Sequence, residues 1–207
     1  VRYEFRMAGI PLYCDEPTTP EFSAPATAVK ALLALARGAD LTEHLTTLAK
    51  TGLCALTEEE VCALENYAYT WSPSAAAWRA EFQNNPKGFG DITPTEEDDA
   101  DLAMAEKARA LLVNATDALR SKVRNANAEA ISRAVYFCLK ELGAEEQQAA
   151  QVEAIRAERG IPAAEEAARE WNVVMELLDQ MAQLLGEQTV TVGEYEDLFG
   201  LLLRSSD

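Results

Sequence analysis

An all-α fold, an antiparallel multi-helix bundle, is what this sequence predicts, and three observations predict it. From Ser23 onward, apolar residues recur every three or four positions, the spacing that lines one face of a helix. These stretches are punctuated by stops such as Gly38, Gly52 and Gly143 and by starts such as Thr57 and Thr191. The connections between them are short, which sets neighbouring helices antiparallel. No repeat of fixed length is visible.

Taken in order, the first 22 residues are the least helical. Val1 to Ala8 reads as the end of a helix closed by Gly9, and Ile10 to Cys14 as a short extended segment. A single strand without a ladder partner is not stable, so its partners are expected in sequence beyond this chain. Val1 stands where an initiator Met is absent, and the chain ends on Arg204-Ser205-Ser206-Asp207 without an evident finish. The expectation is a piece of a longer protein with no signal peptide. Pro17 and Pro20, with Thr18 and Thr19, form a linker.

Pro25 then sits in a first helical turn, where its missing amide does no harm, and Val29, Leu32, Leu33 and Leu35 follow before Gly38. Asp40 or Thr42 opens the next helix, carrying Leu45, Leu48 and Ala49, which Lys50-Thr51-Gly52 ends. Thr57 and Glu60 form a capping box, and Val61, Leu64 and Ala68 continue the stripe. Glu65-Asn66-Tyr67 interrupts that stripe with polar groups. The spacing predicts that Glu65 or Asn66 bonds the Lys50-Thr51-Gly52 turn and sets the angle between the two helices. Residues 84–91 read as an exposed loop, a plain turn rather than a phosphate cradle, because no P-loop run accompanies its Gly-x-Gly.

Thr95 begins a long helix with Glu96 to Asp99 at its positive end, where carboxylates are stabilised. Ala105, Ala108, Leu112, Ala115 and Leu119 form a narrow stripe. Asn127 caps a helix carrying Ile131, Val135 and Cys138, and a more polar helix runs from Gly143 to Gly160. Pro162 starts another, with Trp171, Leu178 and Leu185 on its apolar face. Burying these should contribute roughly 1.5–3 kcal/mol each, so Trp171→Ala is expected to cost about 3–5 kcal/mol. Thr191 and Glu194 repeat the capping box before Tyr195, Leu198, Phe199 and Leu202.

Several of these segments resemble a known family. Lys50-Thr51-Gly52-Leu53, the acidic start Glu58-Glu59-Glu60, Leu64-Glu65-Asn66-Tyr67 and the downstream Trp78 are similar to the B-type subunit of the bacterial ATP-dependent helicase–deoxyribonuclease, the AddAB (RexAB) complex. Gly9-Ile10-Pro11-Leu12-Tyr13-Cys14-Asp15 resembles the segment at which helicase-like chains leave their second motor domain. Glu196-Asp197-Leu198-Phe199-Gly200-Leu201-Leu202 resembles the helix that returns to it. The resemblance implies a helical insertion (domain 2B) with three parts. Residues 1–22 are then an edge segment of a neighbouring motor-like domain, 23–190 the 2B-like domain, and 191–207 the return helix. It also implies a parent that processes double-strand DNA breaks with a motor and nuclease partner subunit. ATP and Mg would act in that partner, and an iron–sulfur cluster would lie in a nuclease domain outside these residues.

Charge bounds the partners. The formal net charge is −17, from 18 Lys and Arg against 35 Asp and Glu. Such a surface repels phosphate, so the isolated chain is expected to bind DNA weakly or not at all. No apolar run approaches the ~20 residues that span a bilayer, and a cytoplasmic location without membrane contact is expected. Cys14, Cys54, Cys62 and Cys138 make no C-x-x-C pair and sit in apolar settings, as buried free thiols would. No cofactor or metal is expected in these residues. The one His44 lies on an amphipathic helix and reads as an exposed helix residue, too isolated for nucleophilic catalysis. No catalytic constellation is found.

One cluster invites a functional reading. Between Lys107 and Lys140 lie seven basic residues (Lys107, Arg109, Arg120, Lys122, Arg124, Arg133, Lys140) against Asp117 and Glu129. Arg120, Lys122, Arg124 and Arg133 are the candidates for nucleic-acid contact, and Arg120 and Arg124 lie one turn apart. The plainer reading is a solvated face balancing an acidic protein. At the level of the whole chain two readings compete. One is a non-catalytic scaffold of the DNA path in a helicase–nuclease; the other is a free-standing acidic helical interaction domain.

Overall fold

The helix Ala24–Arg37 (α1) carries ten buried residues among its 14, spread over every side. A helix apolar all round has to be surrounded, and α1 is. In the computed structural model, which describes residues 20–90 and 93–205, it touches helices from both halves of the chain. These helices are α2 (Leu41–Lys50), α3 (Glu58–Trp71), the single turn α4 (Ala75–Trp78) and α5 (Glu96–Lys122), followed by α6 (Ala128–Glu141), α7 (Ala144–Arg159), α8 (Ile161–Leu185) and α9 (Val192–Arg204). A 3₁₀ turn, Pro20–Phe22, leads into α1. Among the described residues there is no strand, only an isolated bridge between Asn127 and Thr189. The all-α bundle expected from periodicity is what forms. The extended segment expected at Ile10 to Cys14 lies outside the described residues.

Helices α2, α5, α6, α8 and α9 pack around α1. On one flank α3 lies along α5; on the other α8 lies between α6 and α7. The start of α6 meets the end of α8, where the amides of Ala128 and Glu129 donate to the carbonyls of Gln188 and Gly186 at 3.1 and 3.2 Å. These two helices therefore run antiparallel. Helix α9 buries Tyr195, Phe199 and Leu203 in the same core as α1. Tyr195 and Ser132 share a buried hydrogen bond of 2.6 Å.

The helix boundaries follow local chemistry. Thr57–Glu60 and Thr191–Glu194 form the reciprocal capping boxes expected of them. Asp40, not Thr42, caps α2, accepting from the Glu43 amide at 3.0 Å. Thr95 and Asp98 form a third box. The Asp98 side chain is 1% exposed because it turns back to the Thr95 amide (2.9 Å) and meets Lys87 (2.7 Å). That ion pair ties the 84–90 loop to the start of α5.

Three expectations need correction. Trp171 is only partly buried, as is Leu185; the tryptophan wholly inside is Trp78. Cys62 is exposed rather than buried, whereas burial pushes the Cys54 and Cys138 thiols up to about 12. His44, expected to be exposed, is half-buried. In each case helical periodicity identified a face, but how deeply that face is covered depends on which helices lie opposite.

Candidate nucleic-acid interface

Helix α5 ends in Arg120 and Lys122, cations suited to the negative end of a helix. Asn125 then takes φ +58°, a left-handed conformation that Asn tolerates, and the chain reverses into Asn127, whose side chain accepts from the Ala130 amide at 2.8 Å. This reversal divides the four candidate residues. Arg120 and Arg124 line one cleft of about 840 Å³, between the end of α5, Arg37 of α1 and the first residues of α9. Lys122 and Arg133 line another, of about 370 Å³, beside Phe137.

Their electrostatic states differ as well. Lys122 stands 3.5 Å from Glu141, and Arg133 2.7 Å from Glu129. In the larger cleft Arg37 is paired with Glu196 at 3.3 Å, and Asp117 is engaged by Arg79 at 2.9 Å. Among the described residues, no carboxylate pairs with Arg120 or Arg124, and both are exposed. The Arg120 guanidinium lies against Gly38, which adopts φ +98°. The cleft therefore presents two unpaired cations on a strongly acidic protein, with the Glu194 carboxylate, bonded to Thr191, also on its wall.

Counting along the sequence overstated the rest of the cluster. Lys107 pairs with Glu60, a carboxylate already anchored to the Thr57 amide. Arg109 is 8% exposed and serves the interior. Its Nε donates to Glu106 at 2.6 Å and its Nη1 to the Trp78 carbonyl at 2.9 Å. The partners Glu60, Glu106 and Glu141 come from outside the stretch between Lys107 and Lys140, so counting charges within it could not reveal them.

The junction of α2 with α3 and α5 is the other candidate region. Lys50 pairs with Glu65, both about half exposed, and such surface pairs contribute about 0–1 kcal/mol. The Thr51 hydroxyl donates to the Leu48 carbonyl (2.7 Å) and accepts from the Leu53 amide (3.2 Å). Gly52 takes φ +71°, which a side chain would strain. Its carbonyl accepts from Gln151 of α7 at 2.8 Å. Asn66 is exposed and faces a shallow cleft beside Cys62 and Pro86. The turn is thus bonded both by Glu65 of α3, through the Lys50 side chain, and by Gln151 of α7, 99 positions from Gly52 in sequence.

Tyr67 faces inward. Its ring stacks on Phe82 at 3.9 Å and 14°, and its hydroxyl accepts from the Asn84 amide at 3.3 Å. Trp78 packs beside Phe82 at 5.4 Å and donates its indole N–H to Thr42 at 2.8 Å, while the Arg109 guanidinium lies 5.7 Å over the Phe82 ring. The Phe82 amide donates to Glu106 at 2.8 Å. Burial would raise the Glu106 carboxyl, but the Arg109 and Phe82 hydrogen bonds outweigh it and hold the group below the usual range. Sequence reading passed over Phe82 and Glu106, and took Thr42 only as a possible helix cap rather than as the acceptor of the Trp78 N–H. One signal was available: a buried Trp needs an acceptor for its N–H. Among the described residues, no group of three or more His, Cys, Asp or Glu side chains is placed to hold a metal ion.

An all-helical module with two unpaired arginines in one interhelical cleft is the class of protein that fold and site define. No family model matches the chain. It is similar to the B-type subunit of ATP-dependent helicase/deoxyribonuclease. With that protein of Alkaliphilus metalliredigens it is 26% identical over 163 residues, 74% of this chain and 14% of the relative. With that of Alkaliphilus oremlandii it is 28% identical over 169 residues, 78% of this chain and 14% of the relative. With that of Clostridium botulinum strain Langeland it is 27% identical over 152 residues, 70% and 13%. The resemblance drawn from Lys50 to Tyr67 and Trp78 is borne out in these relatives, and the chain spans about 14% of their length.

Proposed function

We propose that this chain is a non-catalytic helical module of a helicase–nuclease subunit, scaffolding the DNA path in double-strand break processing and recombinational repair. Similarity to the helicase/deoxyribonuclease relatives over most of the chain supports the setting. The observation that carries the DNA contact is the pair Arg120 and Arg124, which share one cleft without an ion-pair partner among the described residues, while Lys122 and Arg133 are matched by acids. Two guanidiniums at a helix end suit adjacent phosphates of a backbone held mainly by the rest of the complex. Lys122 and Arg133, already paired, would contribute less. In this reading the partner subunit supplies the ATP-driven motor with its Mg, and an iron–sulfur cluster belongs to a nuclease domain beyond these residues. The setting is cytoplasmic; among the described residues no helix is long and apolar enough to cross a membrane.

The test is Arg120→Glu with Arg124→Glu in the assembled complex. DNA binding should weaken, and the dependence of log K on log salt should become shallower by about one to two units. An unchanged affinity and slope would overturn the DNA contact. The isolated chain, with its net charge of −17, should bind DNA weakly or not at all.

A further inference from the structure

The antiparallel helices α6 and α8 leave a groove of about 930 Å³ over their seam, on a face distinct from the Arg120–Arg124 cleft. Its floor is apolar, with Tyr136 and Phe137 on α6 and Met175, Leu178 and Ala182 on α8. Tyr136 is 36% and Phe137 46% exposed, their rings edge to face at 5.7 Å. Two adjacent aromatic rings standing in water over an apolar trough mark an interaction surface rather than scattered exposure.

The rims indicate what the groove would hold. On the α6 side Glu129 is neutralised by Arg133 at 2.7 Å. On the α8 side Glu176 and Asp179 lie one turn apart, and among the described residues neither has an ion-pair partner. Along α8 the lining runs from Asn172 to Gly186. At 1.5 Å per residue that is about 21 Å, the length of a four-turn helix. The carboxylates repel a nucleic-acid backbone. They also disfavour a second copy, because two such grooves meeting about a twofold axis bring like-charged rims together.

We propose that this groove takes a basic amphipathic helix of about four turns from a partner protein. Its apolar ridge would lie on Tyr136, Phe137 and Met175, and its Lys or Arg side chains would meet Glu176 and Asp179. The inference is independent of the DNA contact, since it uses another face and the opposite charge.

The test titrates the 207-residue chain with a synthetic four-turn leucine–lysine helix, leucines on one face, followed by NMR. Signals of Tyr136, Phe137, Met175 and Ala182 should shift together and saturate. Glu176→Lys with Asp179→Lys should weaken binding by ~10-fold or more. Phe137→Ser, which leaves the charge unchanged, should also weaken it. Glu146→Lys with Glu158→Lys makes the same charge change on exposed positions of α7 and should bind as the wild type does. Melting curves matching the wild type show that the variants are folded. Shifts mapping elsewhere, or equal weakening by both charge pairs, would overturn the proposal. So would self-association of the chain alone through the same residues.

Discussion

The α3–α5 junction and the α7–α8 hairpin are both helices laid side by side, yet different interactions hold them. At the junction, α5 buries nine residues, and Arg109 lies over Phe82, which packs with the buried rings of Tyr67 and Trp78. In the hairpin, α7 buries only Ala144 and Gln148, and α8 has no fully buried residue between Ala164 and Val174. Polar stitches take over there: Gln148 donates to the Ala167 carbonyl at 2.9 Å, and Gln151 to that of Gly52. The carboxyls report the same contrast. Glu106 is held below its usual range by its donors, whereas burial, with Glu166 nearby, pushes Glu170 above it. Helical pattern alone therefore does not measure how strongly a segment is anchored; the buried area and the matching of its polar groups do.

The largest test of this contrast is a pair of tryptophan deletions. Trp78→Ala removes a wholly buried ring and its bond to Thr42, and should cost about 3–5 kcal/mol in denaturant unfolding. Trp171→Ala, on the partly covered face of α8, should cost roughly 1–2 kcal/mol. Equal losses would break the distinction. Next, Arg109→Met leaves the Trp78 carbonyl without that donor and Glu106 without its cation. A loss of about 2–3 kcal/mol is expected from the same measurement. Gln151→Ala should cost less, about 0.5–1.5 kcal/mol, and should speed amide exchange first at Leu53 and its neighbours.

The smallest effects are those of pH, and they have opposite signs. Lys87, followed by the Thr95 amide, holds the Asp98 carboxyl down at about 2 against an ordinary 3.8. The folded state binds that proton less readily, so the stabilisation is present above pH 3.8 and is lost as pH falls through about 2. Asp98→Asn should flatten the decline of melting temperature across that window. Glu170 is raised above its ordinary 4.5, so the folded state binds its proton more readily. Its penalty is present at neutral pH and is relieved as pH falls through the raised value. Glu170→Gln should raise the melting temperature at pH 7 and leave it unchanged at pH 4.

Much of the fold was legible because helix punctuation is local. Thr57 with Glu60, Thr191 with Glu194, Asn127 and Gly52 each act within a few residues, and each does what its neighbours require. The centre of the bundle was legible in principle. From Ala24 to Ala36 the only charge is Lys30, a composition that suits a surrounded helix, yet the denser punctuation from His44 to Trp78 draws the eye away from it. The candidate cleft was half legible. Arg120 and Arg124 stood out, but pairing with Glu141 and Glu129 separates Lys122 and Arg133 from them.

The sequence by itself determined where helices start and stop and that they assemble as an all-α bundle, because capping and 3.6-residue periodicity are decided within a few turns. Only the tertiary structure decided which tryptophan is buried, which cations keep their charge unmatched and what bonds the Gly52 turn. Those outcomes depend on groups far apart in the chain, such as Gln151 and Gly52, or Arg109 and Trp78. Burial and ion pairing are properties of what lies opposite, and no local pattern encodes the face across the core.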